Sequence, residues 1–279
     1  MDSEKLGIIA NEIRKDIISS IHAAASGHPG GSLSSADILT YLYFEEMKQI
    51  DPQDPRNPDR DRFVLSKGHA APVLYATLAQ KGFFPREDLL KLRKIDSSLQ
   101  GHPDMNQVPG VDMSTGSLGQ GFSAAVGMAL AGKLDQKSYR VYALLGDGEI
   151  EEGQIWEASM FAGARKLDNL TAILDNNELQ IDGWISDVCD PHPIDQKFEA
   201  FHFHVIHADA HDFTSLAEAF AKARATKGQP SIIIAKSIKG KGVSFMEGDA
   251  GWHGKAPNDE QYKQAMAELE MRLTIKSQV

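Results

Sequence analysis

Two short polar segments of the chain have the composition and spacing to bind a divalent cation together. Gly146-Asp147-Gly148 directly follows one apolar run, and Asp175-Asn176-Asn177 directly follows another. Asp147 and Asn177 are thirty positions apart, the length of a strand–helix–strand crossover, which places two strand ends side by side. Carboxylate and amide oxygens suit a hard cation such as Mg²⁺ or Ca²⁺, with phosphate oxygens and water completing the shell.

The glycines on either side of Asp147 favour a phosphorylated ligand. Glycine lets the backbone approach a diphosphate closely and turn sharply into the following helix, whose amino end attracts anions. Gly-Asp-Gly and Asn-Asn turns are common and by themselves functionally silent. Their occurrence together at the ends of neighbouring strands is what favours a metal and diphosphate site.

The elements that must position these segments are strands alternating with helices. Helical patterns cover residues 6–21, 35–47, 118–134, 155–167 and 213–227, and a last amphipathic helix follows the loop 246–257. Buried strands are predicted at residues 63–65, 141–145, 170–174 and 232–235, with 203–206 as a fifth candidate. The pattern predicts an α/β fold, a mostly parallel sheet with helices on both faces, in a single domain over residues 1–279. Its ligand should lie at the carboxyl ends of the strands.

Composition narrows the classes of partner and compartment. The 279 residues, 42% of them hydrophobic, suffice for a sizeable core, and the net charge of −10 argues against nucleic acid or an anionic membrane surface. Cys189 is the sole cysteine, which excludes an intrachain disulfide. We see no secretory signal and no run of eighteen apolar residues, so a cytoplasmic location is the expectation.

The same residues carry a family resemblance. Gly146-Asp147-Gly148 followed by Asn176-Asn177 resembles the thiamine diphosphate motif, and the flanking sequence resembles the transketolase family over nearly the whole chain. Five further segments follow in that family's order: Ser26-Gly27-His28-Pro29-Gly30, Ser66-Lys67-Gly68-His69-Ala70, Gly101-His102-Pro103, Thr115-Gly116-Ser117-Leu118-Gly119-Gln120-Gly121 and Trp252-His253-Gly254-Lys255.

The resemblance implies thiamine diphosphate and Mg²⁺ as cofactors, with Ca²⁺ or Mn²⁺ as substitutes for the metal. Asp147, Asn177 and the backbone carbonyl of Leu179 are then the metal ligands, and Gly148 packs against the diphosphate.

Four loop histidines acquire roles from the resemblance. His69 and His253 are expected to reach the diphosphate and the donor sugar, and His28 and His102 to contact hydroxyl groups of the donor. Imidazole can donate or accept protons near neutral pH, which suits these places. A lone loop histidine is usually a surface residue, and the motifs around these four reverse that expectation.

The remaining cofactor-site candidates lie in two further segments. By resemblance, Gly116 and Leu118 lie near the aminopyrimidine ring, while Glu152 and Glu157 belong to a carboxylate network at a subunit interface that links paired active sites. The alternative for the two acids is an exposed helix start, where carboxylates complement the helix dipole. Ser117 stands where many relatives have proline, which puts the rigidity of that loop in doubt.

A second histidine group offers a competing metal site. His202 and His204 would share one face of a strand, with His207 and His211 nearby, but no cysteine or second cluster supports zinc there. His211 also resembles part of a Gly-His-Asp turn of the family, in which Ala210 replaces the glycine.

The implied reaction is transfer of a two-carbon ketol unit from a ketose phosphate to an aldose phosphate. In this family a glutamate on a separate pyrimidine-binding domain is needed, and full-length members are about twice this length or more. The polar ending Lys276-Ser277-Gln278-Val279 after a helix predicts a complete gene product. The chain therefore resembles the amino-terminal subunit of a split transketolase, paired with a carboxyl-terminal subunit in a dimer of such pairs.

Two other functions remain open on the sequence. The first is another thiamine diphosphate enzyme, such as a deoxyxylulose phosphate synthase, a 2-oxoacid dehydrogenase subunit or a specialised sugar or sulfosugar transketolase. The second is a non-catalytic remnant that keeps the fold as a binding module, although retention of the metal ligands and of all four loop histidines argues against decay. A pentose phosphate pathway donor is the default expectation.

Overall fold

The computed structural model describes residues 2–276, and within them the centre of the fold is a parallel sheet. Its strands lie in the order β1-β2-β3-β7-β6. They are Arg62–Leu65 (β1), Val141–Gly146 (β2), Leu170–Asn176 (β3), His204–Asp209 (β6) and Ser231–Lys236 (β7). The five predicted strands and the parallel sheet are therefore confirmed. A small antiparallel hairpin, Leu179–Gln180 (β4) with Gly183–Trp184 (β5), follows β3.

Helices cover both faces of the sheet, as predicted. They are Ser3–Ala24 (α1), Pro29–Ser34 (α2), Ala36–Tyr41 (α3), Ala71–Lys81 (α4), Gln120–Leu134 (α5), Gly153–Ala164 (α6), Ile185–Val188 (α7), Ile194–Ala200 (α8), Phe213–Ala225 (α9) and Asp259–Lys276 (α10). Short 3₁₀ turns occur at Gly68–Ala70, Arg86–Lys91, Glu149–Glu151 and Ala250–Trp252. None of the helices within residues 2–276 has the length and apolar character needed to cross a lipid bilayer.

The strands are buried on both sides because their side chains alternate between two cores. On β2, Tyr142 and Leu144 pack with α1, α3, α4, α9 and α10, whereas Ala143 and Leu145 pack with α5, α6 and α8. A strand covered on both faces reads as a continuous apolar run, which is why these strands were visible in the sequence.

The region between α1 and β1 differs from the prediction. Instead of one helix over residues 35–47, the chain forms α2, α3 and a π-helical turn, Leu42–Glu46. Pro29 occupies the first turn of α2, where its missing N–H costs no hydrogen bond. The predicted tail Ser277-Gln278-Val279 lies outside the described residues.

Candidate active site

The carboxyl ends of four adjacent strands build one site. β1 leads to Lys67, β2 to Asp147, β3 to Asn177 and β7 to Lys239. The register pairs Gly146 of β2 with Asp175 of β3, so the two predicted metal-binding segments leave the sheet side by side. The crossover predicted from the thirty-residue spacing is confirmed.

The four strand ends and their loops enclose a cavity of about 250 Å³. The sequence-predicted residues that line it are His28, His69, Gly116, Leu118, Asp147, Gly148, Asn177, Leu179 and His253. Residues from five separate sequence motifs therefore meet around a single space.

The three proposed metal ligands are oxygen donors that face this cavity. Asp147 accepts hydrogen bonds from the backbone N–H groups of Gly148, at 2.9 Å, and Glu178. The Asn177 Oδ1 atom accepts from the Leu179 N–H at 3.1 Å. The Leu179 carbonyl accepts from Lys239 Nζ at 2.8 Å, and its second lone pair stays free to accept.

This donor set fits Mg²⁺ bound together with a diphosphate. One carboxylate, one amide oxygen and one carbonyl are hard ligands, and they are too few to fill an octahedral shell without phosphate oxygens or water. Gly148 lines the cavity and has no Cβ, which at this position would lie only 3.0 Å from the Gln180 Cβ. Burial, followed by the nearby Asp175 carboxylate, raises the pKa of Asp147 to about 7. A cation would favour its ionised form.

Two buried lysines add positive charge to the same space. Lys67 is 2% exposed and Lys239 3% exposed, and both line the cavity. Burial, and to a lesser degree the charge of Lys67, lowers the pKa of Lys239 to about 8, so it stays mostly protonated at neutral pH. Lys67 forms a buried salt bridge with Asp175, so Lys239 is the lysine whose charge favours an anionic ligand such as a diphosphate.

Three imidazoles form a cluster on one wall of the cavity. The ring centroids of His28, His69 and His253 are 5.0 to 5.4 Å apart. His28 Nδ1 is buried and bonds to no group in the part of the chain that the structure describes. A buried polar atom without a partner is unusual in a folded protein and often marks a functional site.

The histidines of the cluster are neutral near pH 7. Burial, followed by Arg93, His102 and Lys239, lowers the pKa of His28 to about 4. Burial and then Lys239 lower the pKa of His253 to about 3, and burial and then Lys67 lower the pKa of His69. Neutral imidazoles can accept protons from hydroxyl groups.

His102 lies beside the cavity and is not among the residues that line it. Its ring packs against Gly116, where an added Cβ would come within 3.2 Å of His102 Cγ. Burial, followed by Arg93, lowers the pKa of His102. Its predicted contact with the donor stays a prediction.

A buried carboxylate connects three of the motifs. Glu149 Oε1 accepts from Ser66 Oγ at 2.5 Å and from the Gly119 N–H at 2.9 Å, and Oε2 accepts from the Gly146 N–H at 3.0 Å. Gly119 adopts φ +83°, a conformation that favours glycine. Glu149 therefore fixes the loop that carries Leu118 relative to Asp147.

Glu152 and Glu157 are predicted cofactor-site residues that lie on the exposed surface of this chain. Neither lines the cavity, and both are exposed. Glu152 precedes α6 as its N-cap, and Glu157 lies on the exposed face of that helix. Their predicted role at a subunit interface is compatible with this exposure and stays a prediction.

The competing zinc site is not formed. His204 bonds to Thr226 Oγ1 at 2.6 Å, His207 to Asp195 at 2.9 Å and His211 to Asp37 at 2.7 Å, while His202 precedes the strand with φ +63°. Among the described residues, no group of three or more His, Cys, Asp or Glu is placed to hold a metal. Ala210 is accommodated without positive φ and is fully buried.

Reasoning from the sequence missed Lys67, Glu149 and Lys239. Lys67 and Glu149 lie inside or directly beside the motifs that were used, so their position was a signal that could have found them. Lys239 lies just after β7, at the carboxyl end where a parallel sheet binds its ligand.

A parallel α/β sheet that brings oxygen donors, lysines and neutral imidazoles together at its carboxyl edge is typical of a domain that binds a phosphorylated cofactor. The sequence matches the family described as transketolase, thiamine diphosphate binding domain, over residues 7–278. The chain belongs to the transketolase family.

Curated relatives fall into two groups by length. The 6-deoxy-6-sulfo-D-fructose transketolase subunit SqwG of a Clostridium species (strain MSTE9) is 49% identical over 261 residues, 94% of each chain. One of the apulose-4-phosphate transketolase subunits of Phocaeicola vulgatus is 41% identical, over 98% of this chain and 96% of that one. Mouse transketolase is 46% identical over the whole of this chain, which spans 44% of its length.

The fold agrees with a solved member of the family. Transketolase from Campylobacter jejuni superimposes with a TM-score of 0.90 at 35% sequence identity, covering 97% of this chain and 43% of that one.

Proposed function

We propose that this chain is the amino-terminal subunit of a thiamine diphosphate- and Mg²⁺-dependent transketolase. It would transfer a two-carbon ketol unit from a ketose phosphate to an aldose phosphate, together with a separate carboxyl-terminal subunit. The observation that carries the proposal is the convergence of Asp147, Asn177 and Leu179 with the histidine cluster around one cavity.

The chain's own residues hold the diphosphate end of the cofactor. Asp147, Asn177 and the Leu179 carbonyl would bind Mg²⁺, while Lys239 balances part of the negative charge of the phosphates. Gly148 leaves room for their approach. When bound, thiamine diphosphate supplies the carbon nucleophile for cleavage of the ketose carbon–carbon bond.

The histidine cluster would handle the protons of the sugar hydroxyl groups. Its three imidazoles, those of His28, His69 and His253, are neutral near pH 7. They are close enough together to contact one small polyhydroxylated molecule. His28 lines the cavity, and as a neutral imidazole it would accept the proton of a donor hydroxyl.

A partner subunit is supported by length and by surface character. The relatives of about this chain's own length are named as subunits, whereas the chain spans less than half of mouse transketolase. Beside the cavity, Ile181 is 64% exposed and Trp184 53% exposed. Large apolar side chains clustered at a site indicate a protein contact. We propose a pyrimidine-binding chain there, in a dimer of heterodimers.

The sugar specificity is the finer part of the proposal. A pentose phosphate donor is the default, and the resemblance to the SqwG subunit favours a 6-sulfo ketose as the second candidate. A cytoplasmic location likewise stays a prediction.

The test is a donor comparison with the reconstituted pair of subunits. Xylulose 5-phosphate, fructose 6-phosphate and 6-deoxy-6-sulfo-fructose share the reacting ketol end and differ in their remote anionic part, so the ratio of their kcat/KM values identifies the preferred donor. Pyruvate is the contrasting substrate. If pyruvate is turned over and none of the three ketoses is, the result contradicts ketol transfer and favours a deoxyxylulose phosphate synthase-like enzyme.

A binding experiment tests the metal site of the proposal. Thiamine diphosphate should bind to the pair only when Mg²⁺, Mn²⁺ or Ca²⁺ is present, as measured by calorimetry with and without EDTA. Metal-independent binding would contradict the assignment of Asp147 and Asn177.

A further inference from the structure

One fully buried carboxylate at the site has no part in the proposed mechanism. Asp175, the penultimate residue of β3, is 0% exposed and lies two positions before Asn177. Its neighbours are hydrogen-bond donors: Lys67 Nζ, Ser34 Oγ at 2.6 Å, Ser237 Oγ and Asn177 Nδ2 at 3.3 Å. Because these donors occupy its oxygens, Asp175 is not itself free to bind a cation.

The contact with Asn177 decides which end of that amide faces the cavity. An ionised carboxylate only accepts hydrogen bonds, so the Asn177 NH₂ group must be the end directed at Asp175. The Oδ1 atom then points the other way, where the Leu179 N–H donates to it at 3.1 Å. An amide turned over would present an NH₂ group to the cation and would not bind it.

We propose that Asp175, held by Lys67, Ser34 and Ser237, is a positioning residue that orients the Asn177 amide so that its oxygen faces the metal ion. The inference rests on the proposed function, since it assumes that Asn177 is a metal ligand.

Lys67 neutralises Asp175, so that two carboxylates, Asp147 and Asp175, can lie close to one metal site. Asp147 and Asp175 end neighbouring strands, and without a counter-charge both would attract the cation. Lys67, 2% exposed, pairs with Asp175 and also donates to the Gly31 carbonyl at 2.9 Å. Asp147 is left as the carboxylate available to the metal.

The first variant removes the buried pair as a unit. A single substitution would leave the other charge of the pair buried without a partner. The double variant Lys67→Met/Asp175→Leu removes both charges of the pair together. The Asn177 NH₂ group then loses its acceptor, and the Leu179 N–H is the remaining group that orients the amide. We expect Mn²⁺ affinity in the presence of thiamine diphosphate to fall about 10- to 100-fold, the usual range for residues behind a metal ligand.

The second variant tests orientation directly. Asn177→Asp replaces the amide by a group with oxygen at both ends, which has no wrong orientation. Added to Lys67→Met/Asp175→Leu, it should restore most of the lost Mn²⁺ affinity. In the otherwise native protein it would face the ionised Asp175 and should weaken binding. The effect of Asn177→Asp therefore changes sign between the two backgrounds.

A third measurement is made on the native protein, and the Asn177→Asp variant serves to assign the signal. The side-chain NH₂ signal of Asn177, assigned by its loss in Asn177→Asp, should exchange slowly with solvent because of the bond to Asp175. Rapid exchange would overturn the inference.

The binding outcomes separate this inference from the proposed function. Mn²⁺ affinity is measured by its paramagnetic effect on water relaxation, with the full chain, its partner and thiamine diphosphate, and folding is checked by circular dichroism. If the native complex binds no Mn²⁺, the metal site fails and this inference with it. If the native complex binds Mn²⁺ and Lys67→Met/Asp175→Leu binds it equally well, the positioning role alone is overturned. The same holds if the double variant loses Mn²⁺ affinity and Asn177→Asp does not restore it.

Discussion

The bottom and the edge of the cavity differ in burial and in polarity. The cavity floor is formed by Lys67 and Glu149, with Asp175 paired to Lys67 beneath it. These three residues are 0 to 2% exposed, and each charged group has partners within the chain. The hairpin rim, residues 179–188, exposes Ile181, Trp184 and Val188 by 64%, 53% and 44%. The chain thus preorganises the end that holds phosphates and metal, and leaves apolar surface where we propose that another subunit completes the site.

The largest expected effect follows from removing charge just above the floor. Asp147→Ala deletes the carboxylate among the proposed ligands and leaves two backbone N–H groups without an acceptor. We expect Mg²⁺-dependent binding of thiamine diphosphate to the reconstituted complex to weaken by at least about 100-fold, measured by calorimetry. Asp54→Ala, at an exposed acid in the loop before β1, is the matched control and should bind as the native protein does. Equal affinity for Asp147→Ala would refute the metal assignment.

A second effect should appear in the stability of the floor. Glu149→Gln keeps the shape of the side chain but replaces one oxygen by an NH₂ group, which then faces either the Gly146 N–H or the Ser66 hydroxyl and the Gly119 N–H. We expect a loss of about 2 kcal/mol in the free energy of unfolding, measured with urea on this chain alone. Glu157→Gln, on the exposed face of α6, should change it by less than about 0.5 kcal/mol. Equal losses in the two variants would show that Glu149 does not hold the loops together.

The floor and the rim also differ in how far the sequence predicts them. The strands under the floor were visible as apolar runs, and the length of the β2–β3 crossover predicted that Asp147 and Asn177 would meet. The rim hairpin has strands of two residues each, too short for any periodicity. The Leu179 carbonyl is a backbone group without a side-chain signature, so only the family resemblance indicated it.

The buried lysines were missed for a general reason. Lysine is almost always a surface residue, so Lys67 and Lys239 carry no burial signal of their own. Their burial depends on partners far away in sequence, Asp175 for Lys67 and Leu179 for Lys239. Such pairs become visible only once the strand order brings their ends together.

The rim should respond in the opposite way to the floor. Trp184→Ser removes a side chain that is half exposed in this chain, so its free energy of unfolding should change by less than about 0.5 kcal/mol. Association with the partner subunit should weaken about 10-fold, as for a buried aromatic anchor at an interface. Surface plasmon resonance measures the association, and Met271→Ser, at an exposed apolar residue of α10, is the control. If the two substitutions weaken association equally, the rim is not the docking surface.

The smallest effect concerns the histidine cluster between floor and rim. The pKa of His28 is lowered to about 4, chiefly by burial, from an ordinary value of 6.5. Between these values the unfolded chain binds more protons, so this group's contribution to stability is complete above pH 6.5 and is lost as the pH falls toward 4. Asp147, with its raised pKa, contributes with the opposite sign, so the profile of the native chain mixes both.

The difference between the native chain and His28→Gln isolates the histidine. Between pH 6.5 and 4, the free energy of unfolding should fall by about 1 kcal/mol less in His28→Gln than in the native chain. This value is reduced for the partial exposure of the ring. Urea unfolding at several pH values measures it, with His207→Gln, whose side chain is 63% exposed and outside the cavity, as the control. Parallel profiles for His28→Gln and the native chain would show that the folded protein accommodates a charged imidazole at position 28, and that the cluster is less desolvated than the floor beneath it.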